Sequence, residues 1–505
     1  MSSVDGFAAL DPAMLGRLTR SVQAGLRALL LLTGEDERAR ALVDALGREL
    51  GWPVHHWSAA AGVDHGGRER ELSALLAALY EGRESVHAED GLWLLHDVGP
   101  LRGADRRRLR ELAQRSSGPV LVLVQVAAGD LLELPELHLE VLPLPDPAGL
   151  AARVDWIAEQ LQEQRPELAP LLHREAPALA RAGVGLELAA FDRLLAEAII
   201  TCPPRLPELL DFLGRHKPAA LARDGLLEPT QTVPVRELGG LERYLDWLRR
   251  RARALEPAAR AAAIPPPRGV LLVGVQGCGK SLTARASADL LGLPLVRLDL
   301  GRLFGGTVGE SEANLRRATA TVERMAPVVL WVDEIDKGLA GAEGARSDAG
   351  TAARVVGGLL TWLQEREQPV FVVATANRVD GLPPELLRRG RLDELFFVDL
   401  PYAEQRAAIL AIHLEEAPKR RLGAAAPLAD PRERYLELAR SAEGFSGAEL
   451  EAALIEARLA AFHEDRPLAA ADLERALSET VPLSRSRAES IAALRSWAQE
   501  RTRPA

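Results

Sequence analysis

The chain is 505 residues long, with 47% hydrophobic and 27% charged residues, which is enough apolar material for several cores. Its formal net charge of -10 argues against a broad nucleic-acid footprint, and its longest apolar runs, at 28–32 and 120–124, are far shorter than a bilayer span. With only Cys202 and Cys278 and no basic, apolar leader at the start, a disulfide framework and a paired-cysteine metal site are excluded, and a cytoplasmic protein that does not engage membranes is expected.

Apolar strands at 28–33, 91–96, 119–126 and 139–144 alternate with helical periods such as 36–50 and 103–114, the pattern of a parallel sheet covered by helices. This predicts a first α/β domain over 1–147. Over 148–227 the strands give way to Leu/Ala/Glu/Arg helical periods, read as a helical lid or bundle. Residues 228–268 open with Glu228-Pro229-Thr230-Gln231-Thr232-Val233-Pro234, read as linker, and carry the Gly239-Gly240-Leu241 turn before an arginine-rich helix. A second α/β domain spans 269–401, with strands at 269–273, 295–298, 328–332, 370–374 and 395–398. A helical lid over 402–480 and a helical tail over 481–505 follow. The order α/β, helical, α/β, helical predicts one architecture used twice.

The chemistry concentrates in the second α/β domain. Gly274-Val275-Gln276-Gly277-Cys278-Gly279-Lys280-Ser281 has the spacing G-x-x-x-x-G-K-S, directly after an apolar strand and directly before a helix that opens with Leu282. Glycines let backbone N–H groups and the helix N-terminus wrap phosphates, Lys280 reaches the outer phosphates and Ser281 ligates Mg2+. Only Lys217, Lys280, Lys337 and Lys419 are lysine among 62 basic residues, so a lysine kept here marks a need for an ammonium. The strand at 328–332 ends in Asp333-Glu334: Asp333 for the Mg2+ shell, Glu334 to deprotonate the attacking water. The strand at 370–374 runs on to Asn377, whose amide can bridge that water and the γ-phosphate; read alone, Asn377 would be a turn former. Arg388 and Arg391, three apart, are candidates for stabilising charge on the transferring phosphoryl group from a neighbouring subunit. Taken singly, any arginine in so arginine-rich a chain would be a solvated surface charge. The combination predicts an ATP hydrolase with ATP and Mg2+ as cofactors.

Together these motifs resemble the AAA+ superfamily. Asp333-Glu334-Ile335-Asp336, the Arg388/Arg391 pair and Gly444-Phe445-Ser446-Gly447-Ala448-Glu449-Leu450 look like its central AAA clade, over about half the chain. That resemblance implies a homo-oligomer, usually a ring of six, with each ATP at a subunit interface and arginine fingers given in trans. It puts Gly447, Ala448 and Gly240 near the adenine. The runs starting at Gly269, Arg297, Leu330 and Pro369 are further similar to cyanobacterial and plastid-encoded AAA proteins known as a hypothetical chloroplast open reading frame.

Two features depart from protein-threading members of that clade. Thr307 stands where their pore loop carries an aromatic residue, with Phe304 as the nearest substitute. In the first α/β domain, Thr33-Gly34-Glu35-Asp36-Glu37-Arg38 stands where a phosphate loop would, and His96-Asp97-Val98 where the paired acids would. Three carboxylates there repel a triphosphate, so the domain reads as a degenerate ATPase-like unit that binds no nucleotide. The leading expectation is an ATPase that remodels a protein partner; the competing one is a nucleotide-timed binding switch without threading. A zinc peptidase is excluded, because His463-Glu464 lacks a second histidine in register.

Overall fold

The computed structural model describes residues 12–58, 62–63, 71–81, 91–96, 98, 101, 103–125, 131, 134–222, 225–304, 309–337, 349–379, 382–386, 388, 390–416 and 431–505. The chain divides into two compact units, Met1–Lys217 and Pro218–Ala505.

In the first unit, β1 (Ala28–Leu32), β2 (Val54–Ser58), β3 (Gly62–Val63), β4 (Leu92–His96), β5 (Val120–Gln125) and β6 (His138–Val141) form one sheet in the order β3-β2-β4-β5-β1-β6. All neighbours are parallel except β2 with β3. The central strands read Ala-Leu-Leu-Leu-Leu, Leu-Trp-Leu-Leu-His and Val-Leu-Val-Leu-Val-Gln because both faces of a parallel sheet are covered. Leu30, Trp93, Leu95, Leu121 and Leu123 pack with Leu75, Leu79 and Leu109 from helices on one face. Leu29, Leu31, Leu94 and Val122 pack with Met14, Leu18, Leu42 and Leu46 on the other. Three helices follow, Pro147–Leu161, Ala169–Gly183 and Leu188–Thr201, and a fourth, Leu206–Leu221, runs across the division between the units; the first is capped by Asp146, which accepts from the Gly149 N–H at 2.8 Å.

In the second unit the sheet order is β13-β12-β8-β11-β10-β9-β7, from β7 (Leu227–Thr230), β8 (Gly269–Gly274), β9 (Leu295–Leu298), β10 (Val328–Val332), β11 (Val370–Ala376), β12 (Glu394–Val398) and β13 (Arg503–Pro504). Setting aside β7 and β13 here and the β3 hairpin in the first unit, both sheets run fifth, first, fourth, third, second in strand rank. The architecture is thus used twice: a degenerate α/β unit with helices after it, then an intact one with a helical lid.

Two segments differ from the sequence reading. Residues 227–230, partly read as linker, form an edge strand antiparallel to β9, with Leu227 opposite Leu298 and Thr230 opposite Leu295; an edge position tolerates Pro229, which has no N–H to donate. The C-terminal tail contains the expected helix, Ala488–Gln499, but then adds β13 beside β12. The strand β2 was hidden by its two histidines, which break the apolar run. Thr307 lies outside the described residues, whereas Phe304 is half-buried and packs against the core of the second unit.

Candidate nucleotide site

The strand β8 is buried along its whole length and delivers the chain into the loop at 274–279, after which the helix Lys280–Leu291 begins. Gly277 and Gly279 take left-handed φ values of +80° and +85°, which L side chains adopt only with strain. Lys280 is buried at 6% exposure. Its Nζ donates to the Gly274 and Val275 carbonyls at 2.9 and 2.8 Å, and burial pulls the ammonium down to about 8. A buried cation held on two neutral carbonyls, beside a helix N-terminus, fits the outer phosphates of a nucleotide.

The acids at the end of β10 meet this loop. Ser281 Oγ donates to Asp333 Oδ1 at 3.2 Å, a hydroxyl and a carboxylate side by side, which is a donor pair suited to Mg2+. Glu334 has a left-handed φ of +47°; a non-glycine residue held this way stores strain that the surrounding contacts must offset. Its Oε1 accepts from Asn377 Nδ2 at 2.9 Å, and its Oε2 lies 2.6 Å from Lys337 Nζ. Asp333, Glu334 and Asn377 are therefore brought together with Lys280 and Ser281.

Two further residues hold this arrangement. Thr375, 1% exposed at the end of β11, donates from Oγ1 to Asp333 Oδ1 at 2.6 Å and accepts from the Glu334 N–H at 2.9 Å. Asp336, 3% exposed, accepts from the Asn377 and Arg378 N–H groups at 3.3 and 3.1 Å, fixing the turn that aims the Asn377 amide. Both were visible only as neighbours of the chosen residues, since one hydroxyl near a strand end or a second acid carries no signal of its own.

A cavity of about 570 Å³ joins these groups, lined by the loop from Gln276 to Leu282, by Asp333, Glu334, Thr375 and Asn377, and at its other end by Gly239, Leu241, Ile409, His413, Gly447 and Ala448. Its apolar end fits an adenine ring and its polar end phosphates. Gly274 and Val275 stand behind the loop as carbonyl partners of Lys280. Gly240 does not line the cavity either: it turns there with φ +86°, and a Cβ on it would meet Gln405 at 3.0 Å. The lid docks on the loop through the Ala448 N–H, which donates to the Gly277 carbonyl at 3.0 Å.

Arg388 and Arg391 do not line this cavity. Arg388 is exposed. Arg391 is half-buried, and its Nη1 has no hydrogen-bond partner among the described residues. Asp393 pins the segment to the start of β8 by accepting from the Arg268 and Gly269 N–H groups at 2.7 and 3.1 Å.

The corresponding loop of the first unit is built differently. Glu35 and Arg38 are buried and paired, Oε2 to Nη1, at 2.5 Å. Arg38 Nη1 also donates to the Pro143 carbonyl at 2.8 Å, and Glu35 Oε1 accepts from the Leu188 N–H at 2.5 Å. The ion pair thus joins the end of β1, the segment after β6 and the first residue of a helix, counterparts of three of the places that the nucleotide cavity connects in the second unit.

A strand rank of fifth-first-fourth-third-second, a phosphate loop, paired acids, a polar strand end and a helical lid define the class, and sequence comparison gives the family. Residues 270–400 match the family described as ATPase family associated with various cellular activities (AAA), 433–475 the AAA+ lid domain, and 14–136 the SpoVK-like AAA ATPase, N-terminal domain. The chain belongs to the AAA ATPase family and is an ATP hydrolase.

Among its relatives, the uncharacterized AAA domain-containing protein ycf46 of Guillardia theta is 38% identical over 402 residues, 78% of this chain and 75% of the relative. The protein of the same name from Pyropia yezoensis is 44% identical over 263 residues, 52% of each chain. The cell division cycle protein 48 homolog of Archaeoglobus fulgidus is 31% identical over 411 residues, 78% of this chain and 52% of the relative. The match therefore spans only about half the length of two of these three relatives.

Proposed function

We propose that the protein works as a homo-oligomer, a ring of six in the arrangement common to its clade, that hydrolyses Mg-ATP at subunit interfaces to remodel or regulate a protein partner. The observation that carries this reading is a division of parts. One cavity collects Lys280, Ser281, Asp333, Glu334 and Asn377, while Arg388 and Arg391 stand outside it. Phosphoryl transfer needs added positive charge on the transferring group, so these arginines serve a second copy's site. Lys280 holds the outer phosphates, and Ser281 with Asp333 would hold Mg2+, which neutralises phosphate charge when bound. Glu334 takes the proton of the attacking water, and Asn377 orients the carboxylate. The degenerate unit binds no nucleotide and serves packing, recruitment or regulation. Two free thiols, Cys202 and Cys278, fit a reducing cytoplasm. Among the described residues no helix is long and apolar enough to cross a membrane.

Mixing two inactive chains tests the interface. E334Q lacks the base and R391A lacks the arginine. In a mixed oligomer, sites that combine the Glu334 of one chain with the Arg391 of the other should recover turnover. No recovery from folded, nucleotide-binding partners, or specific activity independent of protein concentration, would refute action in trans.

A second reading, a nucleotide-timed switch that threads nothing, is favoured by Phe304, which is half-buried against the core rather than fully presented. F304A should then leave partner processing unchanged; loss of processing with basal hydrolysis retained would support threading.

A further inference from the structure

Lys337 is one of four lysines among 62 basic residues, and none of the roles assigned above uses it. Its side chain is 65% exposed, yet Nζ lies 2.6 Å from Glu334 Oε2. Asn377 Nδ2 occupies the other oxygen at 2.9 Å, so each oxygen of the carboxylate accepts from one donor. The turn that links the two residues is closed by the Lys337 N–H, which donates to the Glu334 carbonyl at 2.9 Å. The bond to Glu334 holds the Lys337 ammonium above its usual range, so it is charged wherever the enzyme works.

A carboxylate that acts as a base must turn a lone pair toward water. An ammonium on the same oxygen competes with the water proton and fixes the carboxylate's direction. The choice of lysine matters. Arginine would present a fork able to hold both oxygens at once, whereas lysine makes a single point contact on a flexible stem. Solvent reaches that contact, so it is a weak one. We propose that Lys337 is a releasable clasp on Glu334, a positioning residue that holds the carboxylate in a resting direction and limits how often it meets water. This rests on Glu334 being the base.

Steady-state hydrolysis of Mg-ATP by the full chain tests the proposal with four variants. K337A should raise kcat roughly two- to five-fold, the range of a weak surface ion pair, with KM unchanged. K337R should lower kcat below the unsubstituted enzyme, because its fork grips both oxygens. The order K337A above wild type above K337R is one that a merely structural contact does not produce. E334Q/K337A should be as inactive as E334Q, showing that the gain passes through Glu334. A lower or unchanged kcat in K337A, or a gain that survives in the double variant, overturns the clasp. Normal hydrolysis by E334Q alone would instead remove Glu334 as the base, a different failure.

Discussion

The Ala448 N–H donates to the Gly277 carbonyl at 3.0 Å, so the first turn of the lid helix Gly447–His463 spends one of its free donors on the phosphate loop. The same helix is capped by Ser446, in a reciprocal box with Glu449. Glu449 Oε1 in turn accepts from the Leu483 N–H at 2.6 Å. Lid position and loop shape are therefore one structural variable. A Cβ on Gly277 would come within 2.9 Å of Ser446 Oγ, at a φ of +80°. G277A should weaken nucleotide binding about ten-fold or more, the equivalent of the ~1–2 kcal/mol cost of a left-handed alanine. Gly292 shares the left-handed φ but has open space around it, so G292A should lower the melting temperature and leave affinity unchanged. Titration with a fluorescent nucleotide separates the two; equal affinities for both variants would disprove the coupling.

Thr375 makes its own prediction. Its hydroxyl donates to Asp333 and accepts from the Glu334 N–H, so one group sets the position of both acids. T375V keeps the volume and removes both bonds. A displacement of ~1 Å in a catalytic group costs on the order of 100-fold in rate, so kcat should fall by about that factor. Nucleotide affinity, which rests on Lys280 and the loop, should change little. Pre-steady-state hydrolysis with a parallel binding titration reads both quantities. Wild-type kcat in T375V would mean that backbone alone places the acids.

The phosphate loop and the paired acids were legible because each demands a fixed spacing between a buried strand and a turn. No apolar core produces Gly277, Gly279, Lys280 and Ser281 in that order for packing reasons. The duplicated architecture was legible from element order, since short apolar runs such as 120–124, bounded by turn signals and alternating with helical periods, read as central strands. Thr375 and Asp336 were not, because their roles depend on which strands become neighbours: β10 and β11 pair with Val332 opposite Ala374, a register that no local pattern encodes. The strand β7 was missed for a similar reason. Leu227-Glu-Pro-Thr has too little alternation to announce itself and is a strand only because β9 offers an open edge. Glu35 was read as one of three carboxylates that repel a triphosphate, and its burial against Arg38 as a built-in tie was not legible.

Cys278 lies inside the phosphate loop, where burial pushes its thiol up to about 12. The thiolate is the reactive form. At pH 8 far fewer molecules carry it than the roughly one quarter of an unperturbed thiol. Alkylation of Cys278 by iodoacetamide should be very slow at pH 8 and rise about ten-fold per pH unit through pH 10, because the group lies far below its midpoint throughout that range. Peptide mass spectrometry after timed labelling follows it directly. Rapid modification at neutral pH would show a thiol more acidic than its surroundings allow. Inactivation by oxidants at neutral pH should accordingly be slow.

In the first unit, the Glu35–Arg38 pair and its reach to Leu188 and Pro143 do with a salt bridge what the other unit does with a cavity. The two side chains are 7% and 3% exposed, so removal of one leaves the other charged and shielded from water. R38A should cost about 3 kcal/mol or more, the range for breaking a buried pair from one side. E35Q/R38M removes both charges and should cost less than R38A, since no unpaired ion is left behind. Thermal unfolding of the full chain ranks the two. Neither variant should create a second nucleotide site, because no lysine or glycine-rich loop stands behind the pair. Calorimetry should give one nucleotide per chain in the wild type and in E35Q/R38M, and none in K280A. A second equivalent, or binding that persists in K280A, would mean that the first unit still accepts a nucleotide and that the pair is a gate rather than a permanent tie.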